Sequence, residues 1–374
     1  MKKFAGRAKK VNTDVIGLDV HKDMIAFSHL DAAGDELHSG ELAATGEAVL
    51  ETLRLVTAGR ETHVSMEATG GMLWLYDVLV REFGEKHVHV AQPRRIRAIA
   101  NSQEKNDAND AYWLAYYTFE GRLPEAWIPT GRTRELRIAI RARMEAVRQR
   151  SRATVILKAY LRQMGQRLPG VRMDGEAVLA RARELASDTP GSLGEALRTT
   201  FARYEAAARD VEAWDTSIAA LCEDMPQVKK LQERIPGVGP TLASVIVAES
   251  GPMERFSTPK AYAKYTGMTP GSRSTGGRTI HGAMTRQGSR YLRWALNQAV
   301  IHCLRGSREP GSGTRGALAR WVDAKERRTQ IKAKARVAAA RKLATAIWWL
   351  FHRPAQFNLF HAFGSAPPVG APTA

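Results

Sequence analysis

The chain has 374 residues, of which 44% are hydrophobic, and carries 56 Lys and Arg against 38 Asp and Glu, a formal charge of +18. Two cysteines exclude a disulfide framework or a cysteine-based zinc site, and no apolar run approaches the roughly 18 residues of a membrane-spanning helix. So large a positive excess favours a polyanionic partner, usually a nucleic acid, and we expect a cytoplasmic protein without a signal peptide or membrane contact.

The first 92 residues show the pattern of a mixed sheet. Apolar and β-branched runs at residues 14–30, interrupted by the polar HKD, and at 38–44 predict a three-strand meander. Two more strands are predicted at 62–68 and 86–92, each after a predicted helix. Strands that begin as a meander and then alternate with helices indicate an α/β domain with helices packed on the sheet.

The rest of the chain is predominantly helical in pattern. Residues 94–118 have helical periodicity, and residues 134–168 and 175–232 consist almost entirely of helix formers. These last two stretches predict long, paired, coiled-coil-like helices that serve as a spacer or dimerisation arm. Further helices are expected at 289–305 and 314–351. The predicted domains are residues 1–132, 133–232 and 233–353, followed by a disordered tail at 354–374.

Residues 235–249, IPGVGPTLASVIVAE, have the pattern of a helix-hairpin-helix element. Gly237 and Gly239 fall in the turn, where backbone N–H groups and the N-terminus of the second helix can approach a phosphate. A dinucleotide-binding fingerprint is excluded, because Leu242 occupies the third glycine position and no strand precedes the motif.

Four acidic residues have the order expected of a nuclease metal site. Asp19 lies in the first predicted strand and Glu67 ends the fourth, while Asp107 and Asp110 share one face of a predicted helix. Phosphodiester cleavage uses one or two Mg²⁺ ions, which prefer carboxylate oxygens. A turn, a cap or a solvated helix face would explain each acid alone, but their order favours a common Mg²⁺ site. The basic residues expected to hold the nucleic-acid backbone beside it are Arg94, Arg95, Arg97 and Lys105.

Residues 269–293, TPGSRSTGGRTIHGAMTRQGSRYLR, combine five arginines with serines and glycines and contain no acidic residue. Arginine suits bidentate phosphate recognition, and glycines let a backbone pass close to DNA. On these residues alone, a flexible phosphate-binding loop is the favoured interpretation. The arginines expected to contact the nucleic acid are Arg273, Arg278, Arg286 and Arg290.

Five segments resemble, in this order, the DEDD transposases of bacterial insertion sequences, of the insertion sequence 110 type. They are 16-IGLDVHKD-23, 65-SMEATGG-71, 105-KNDANDA-111, 235-IPGVGPTLA-243 and 265-YTGMTPGSRSTGG-277. The resemblance extends from about residue 14 to 300. It implies an RNase H-like, RuvC-like nuclease domain at the N-terminus, a helical middle region and a mostly α-helical C-terminal transposase domain that carries a nucleophilic serine.

The resemblance also implies a mechanism and partners. In such a protein Asp19, Glu67, Asp107 and Asp110 bind Mg²⁺, and the serine attacks DNA to form a covalent phosphoserine link. A structured noncoding RNA, encoded by the element, guides the reaction by pairing with DNA. Two subunits complete each active site, so the protein is a homo-oligomer, a dimer or a tetramer. Its location is the bacterial cytoplasm, at the nucleoid.

Three hydroxyls are candidates for the nucleophile. Many relatives have serine directly before the glycine that here is Gly276, whereas this chain has Thr275 there and Ser274 one place earlier. A primary hydroxyl is less hindered, so we predict Ser274, with Thr275 second and Ser272 third. Two other functions stay open: a RuvC-like structure-specific endonuclease (a junction resolvase) using water, and a nucleic-acid-binding protein with a degenerate nuclease fold.

Overall fold

A computed structural model describes residues 13–96, 107–166, 176–275, 278–285, 287–305 and 313–364. Its backbone contacts divide the chain into two compact units, Met1–Ile128 and Pro129–Ala374. The finer division at residues 132 and 232 stays a prediction. In the described part of the chain no helix is both long and apolar enough to cross a membrane.

The first unit contains a five-stranded mixed sheet, which confirms the predicted α/β pattern. Its strands are β1 (Asp14–Val20), β2 (Met24–Leu30), β3 (Glu36–Ala43), β4 (Thr62–Glu67) and β5 (Val88–Ala91). Their spatial order is β3-β2-β1-β4-β5. The meander β1-β2-β3 is antiparallel, whereas β4 is parallel to both β1 and β5.

Alternation along the strands separates two faces of this sheet. One face packs against α1 (Gly46–Thr57) and α2 (Leu73–Phe83), and Ile16 and Leu18 of β1 lie in that core. The other face is covered by α4 (Asp107–Phe119), which follows the short α3 (Pro93–Ile96). The residues that form the core under α4 are Val15, Leu30, Ala115 and Phe119.

The second unit begins with a long helical pair, as the sequence predicts. Helices α5 (Gly131–Gln163) and α7 (Gly191–Cys222) run antiparallel, and α6 (Glu176–Asp188) packs on α7. Arg143 on α5 donates from Nη2 to Asp215 Oδ2 on α7 at 3.0 Å. The apolar residues that close the far end of the pair are Leu157, Leu161, Phe201 and Tyr204. The role of this arm in dimerisation stays a prediction.

A larger helical core follows. Its helices are α8 (Pro226–Arg234), α9 (Pro240–Ser250), α10 (Pro259–Tyr265), α11 (Arg290–Arg305), α12 (Gly313–Thr329), α13 (Lys332–His352) and α14 (Leu359–Ala362). Glu249 on α9 is 1% exposed and accepts from Nε and Nη2 of Arg141 at 3.0 and 3.2 Å, so an ion pair between a buried carboxylate and a half-exposed guanidinium joins α5 to this core.

Two expectations for the end of the chain are wrong. Residues 314–351 form two helices, because the chain turns at Gln330, where φ is +55° and helical geometry ends. Residues 354–364 are not a disordered tail: they contain a 3₁₀ turn and α14. Phe357 and Phe363 are 8% and 2% exposed, and burial of these two rings explains why residues 354–364 are ordered.

The basic segment is also more regular than a loop. Strands β6 (Pro270–Thr275) and β7 (Arg278–Met284) pair antiparallel, with Ser274 opposite Thr279 and Thr275 opposite Arg278. Residues 276 and 277, between these strands, lie outside the described residues. Two strand-like runs separated by Gly-Gly are a hairpin signal in the sequence, and this signal predicts the pairing better than composition does.

Gly237 is expected to be essential for stability. Its φ is +81°, and a Cβ there would lie 2.6 Å from Ala299 O and 2.8 Å from Cys303 N, both in the α11 backbone. The left-handed conformation and the clash together should make Gly237→Ala cost at least about 2 kcal/mol. Gly239→Ala is the matched control, because a Cβ at Gly239 meets nothing within 4 Å. Thermal unfolding checks this: equal midpoints for the two variants would contradict it.

Candidate active site

Asp19 and Glu67 lie side by side on one face of the sheet. Leu18 pairs with Met66 in the parallel β1-β4 ladder, so Asp19 and Glu67 occupy the next positions on neighbouring strands. Val15 and Gly17 face α4, and Asp19 shares their face because side chains alternate along a strand. Asp19 is 8% exposed, and its Oδ2 accepts a hydrogen bond from His21 Nε2 at 3.1 Å.

Helix α4 brings the other two acids to the same end of β1. A Cβ on Gly17 would overlap Ala111 O and lie 2.6 Å from Ala115 N, so glycine permits the helix backbone to rest on the strand. Ala115 and Phe119 pack near Val15, at the start of β1, so α4 runs antiparallel to β1. The helix therefore begins at the Asp19 end.

The first turn of α4 carries both predicted acids. Asp107 is the first residue of the helix, one turn before Ala111, and Asp110 directly precedes Ala111. Asp110 is half-buried, while the side chain of Asp107 is outside the described part of the chain. Among the described side chains, no three or more His, Cys, Asp or Glu residues are grouped closely enough to hold a metal ion.

Two other acids of the first unit, Asp31 and Asp14, have structural roles. Asp31 Oδ1 accepts from the backbone N–H groups of Ala33, Gly34 and Asp35 at 2.8 to 2.9 Å and so stabilises a turn. Asp14 is buried at the opposite end of β1 from Asp19. Its Oδ2 accepts from His29 Nε2 and forms an ion pair with Arg60 Nε, both at 2.9 Å. Burial lowers the pKa of His29.

The predicted nucleic-acid contacts are only partly described. Arg95 is exposed on α3, and Arg290 is exposed at the start of α11, where its Nη2 donates to Tyr291 Oη at 2.8 Å. Gly237 packs on α11, whereas Gly239, the residue before α9, has open space around it. For Arg94, Arg273, Arg278 and the hydroxyl residues of β6 the backbone alone is described, and Arg97, Lys105 and Arg286 lie outside the described ranges.

A histidine cluster on β4 and β5 was not anticipated from the sequence. His63 Nδ1 and His89 Nε2 are 2.7 Å apart, and His89 Nδ1 donates to Glu125 Oε1 at 2.7 Å. Burial, followed by the neighbouring His89 and His87, lowers the pKa of His63 to about 4. The neutral imidazole of His63 is therefore part of the folded state.

This cluster predicts a loss of stability in mild acid. The unfolded chain binds a proton at His63 near its ordinary pKa of 6.5, whereas the folded chain does so only near 4. The contribution of neutral His63 to the free energy of unfolding is therefore complete above pH 6.5 and is lost as the pH falls towards 4. Urea unfolding at pH 7.5 and pH 5 should show a smaller loss for His63→Gln than for the wild type. His302→Gln, an exposed control on α11, should behave like the wild type, and equal losses in all three proteins would refute this role.

Two family models match separate parts of this chain. A model of DEDD transposases of the IS110 type, described as a transposase, matches residues 16–166. A second model, described as the transposase IS116/IS110/IS902 family, matches residues 229–312. The first match contains the four acids, and the second contains the β6-β7 hairpin.

Curated relatives cover most of the chain. A putative transposase, y4qE, of Sinorhizobium fredii is 27% identical over 75% of this chain and 69% of its own length. A probable family 20 transposase of Pseudomonas aeruginosa is 25% identical over 78% of this chain and 84% of its own. The transposase for insertion sequence element IS1328 of Yersinia enterocolitica is 24% identical over 90% of this chain and 96% of its own. Two family models and relatives along most of its length agree: the chain belongs to the IS110 family of insertion-sequence transposases.

Proposed function

We propose that the protein cleaves and rejoins DNA strands in a Mg²⁺-dependent transposition reaction. The observation that carries the proposal is the convergence of Asp19, Glu67 and the first turn of α4 at one end of the β1-β4 pair. The strand order, with a single antiparallel meander next to parallel β4 and β5, supports an RNase H-like fold for the first unit. Family membership supports DNA as the substrate.

The donor set suits Mg²⁺. Asp19, Glu67, Asp107 and Asp110 would hold it, because hard oxygen ligands from carboxylates are those that this ion prefers. When bound, Mg²⁺ stabilises the charge that develops on phosphate oxygens during the displacement. The buried position of Asp19 limits water around its carboxylate, and the hydrogen bond from His21 fixes the orientation of that group. The roles of the four acids belong to this proposal.

The attacking group in the proposal is the Ser274 hydroxyl. Its Oγ forms a bond to the DNA phosphorus, the bond from phosphorus to a deoxyribose oxygen breaks, and the serine proton ends on that leaving oxygen. A second DNA hydroxyl then attacks the phosphoserine, the bond from phosphorus to Ser274 Oγ breaks, and the proton of that hydroxyl ends on Ser274 Oγ, so the strand is rejoined without ATP. Arginines of the hairpin, Arg273 and Arg278, would stabilise the charged phosphate.

Other parts of the chain contribute binding in this proposal. Helices α8 and α9 with the intervening turn would form the helix-hairpin-helix element. The open surroundings of Gly239 support an approach of the α9 N-terminus to a phosphate. A noncoding RNA guide would use the remaining basic surface, and the α5-α7 pair would join the subunits of a dimer or tetramer.

A covalent-adduct assay tests the nucleophile. Labelled DNA carrying the joined element ends is incubated with protein, Mg²⁺ and RNA transcribed from the element, and the products are denatured. We expect label on the protein, lost with EDTA and lost in Ser274→Ala, because alanine removes the attacking oxygen. Thr275→Ala and Ser272→Ala are matched controls that should keep the adduct.

Each other outcome selects a different mechanism. Loss of the adduct in Thr275→Ala with retention in Ser274→Ala would move the nucleophile by one position. Mg²⁺-dependent cleavage with no adduct in any variant would favour the alternative function, a RuvC-like endonuclease or junction resolvase that uses water.

A further inference from the structure

A groove of about 660 Å³ lies beside the base of the hairpin in the second unit. Its floor is mainly apolar, and it is formed by Met268, Met284, Trp321, Val337 and Ala338. Met268 lies two residues before β6 and Met284 ends β7, so the groove borders the strand pair that contains Ser274. A volume of this size is typical of a small-molecule or nucleotide site.

Basic side chains surround this apolar floor. Lys325, Lys334 and Arg341 line the groove, and none of its described lining residues is acidic. Within the described part of the chain no carboxylate pairs with any of these three cations. An apolar floor with an uncompensated positive rim is complementary to a ligand that has an aromatic body and anionic ends.

Trp321 is held in place at one side of the groove. Lys342 Nζ lies 5.0 Å from the centroid of its ring and donates to Ala362 O at 2.8 Å. The Phe363 ring contacts Trp321 edge to face, with centroids 6.1 Å apart. These contacts orient the indole before any ligand binds, which lowers the conformational entropy lost on stacking.

We propose that this groove binds an unpaired base of the DNA strand engaged by the hairpin. The base lies on the apolar floor beside Trp321, and the flanking phosphates contact Lys325, Lys334 and Arg341. This inference rests on the proposed function, since it takes DNA as the substrate at the hairpin. DNA is favoured over an acidic peptide or RNA because the groove is continuous with the strands proposed to attack DNA.

Binding to a duplex with one unpaired adenine, compared with the fully paired duplex, tests the groove in the full-length protein. Fluorescence anisotropy should give about tenfold tighter binding to the duplex with the unpaired base, since stacking of one base contributes about 1–3 kcal/mol. Ala338→Phe fills the floor and should remove this preference while affinity for the paired duplex stays unchanged. Ala213→Phe, at an exposed position of α7 outside the groove, should keep the preference.

A pair of charge variants gives a second measurement that does not alter the floor. Lys334→Gln should reduce the preference for the unpaired base, whereas Lys332→Gln, at an exposed position in the same turn of α13 but outside the groove, should not. If circular dichroism shows that Ala338→Phe is unfolded, the comparison of Lys334→Gln with Lys332→Gln tests whether the groove binds the unpaired base.

Several results would overturn the inference. They are an unchanged preference in both Ala338→Phe and Lys334→Gln, tighter groove-dependent binding of an RNA of the same sequence, and groove-dependent binding of an acidic peptide in place of DNA. The adduct assay separates this inference from the proposed function. Adduct formation without any preference for the unpaired base would overturn the groove assignment alone. A preference that Ala338→Phe removes, in a protein that forms no adduct, would support the groove and count against the serine mechanism.

Discussion

Asp19→Asn is expected to reduce DNA cleavage by about 10³-fold or more, because loss of a metal-binding carboxylate withdraws several kcal/mol of transition-state stabilisation. Asparagine has nearly the same shape, so the packing around this 8%-exposed side chain should survive. The variant removes a buried negative charge, so its thermal midpoint should be close to that of the wild type or higher. Cleavage rates at saturating Mg²⁺, together with thermal unfolding, separate a catalytic loss from a folding defect.

Asp31→Asn is the matched control for this change. It removes the same charge from the same unit, but Asp31 accepts backbone hydrogen bonds in the turn after β2, and asparagine can accept them too. Its cleavage rate should match that of the wild type. Cleavage by Asp19→Asn at the wild-type rate would show that Asp19 is not a ligand of the proposed metal site.

Gly17→Ala is expected to have the second largest effect, although residue 17 contacts no substrate in the proposed mechanism. The new Cβ would overlap Ala111 O and approach Ala115 N, and both are backbone atoms that cannot rotate away. Helix α4 must therefore move off β1, and Asp107 and Asp110 move with it, away from Asp19. A misplacement of about 1 Å in a catalytic site costs on the order of 10²-fold in rate, so we expect at least that loss of cleavage.

The control for Gly17→Ala is Gly40→Ala on β3. There the new Cβ would meet only the Phe27 ring, with Cε1 at 3.3 Å and Cζ at 3.7 Å, and this ring can shift slightly. Gly40→Ala should retain cleavage, while Gly17→Ala should also unfold at a lower temperature because overpacking destabilises by about 1–3 kcal/mol. Rates measured well below both thermal midpoints show the displacement effect alone. Equal activity and stability of the two variants would mean that α4 does not set the position of the acids.

The strands and most helices of this protein follow from short-range patterns. Apolar and β-branched runs predict five strands, and the structure contains five in the sheet of the first unit. The same patterns put Asp19 on a strand and Glu67 at a strand end. Their adjacency depends on the parallel register of β1 and β4, which no local pattern encodes.

Other features could have been predicted with closer use of the sequence. The Gly-Gly pair at residues 276 and 277 signals a hairpin, and a glycine inside a strand, such as Gly17, signals the close approach of another backbone. Phe357 and Phe363 gave the supposed tail enough apolar surface to join the core. The break at Gln330 carries no such signal, since neither glycine nor proline is present there.

Charge, periodicity and motif order depend only on the residue types along the chain. They suffice to predict the basic character, the α/β first unit, the mostly helical remainder and the candidate acids. The groove beside the hairpin and the contact of Gly17 with α4 depend on packing between distant segments. Met268, Trp321 and Val337 line one surface although dozens of residues separate Met268 from the other two. Only tertiary packing decides which side chains meet across such separations, because each contact requires many other elements to be in place first.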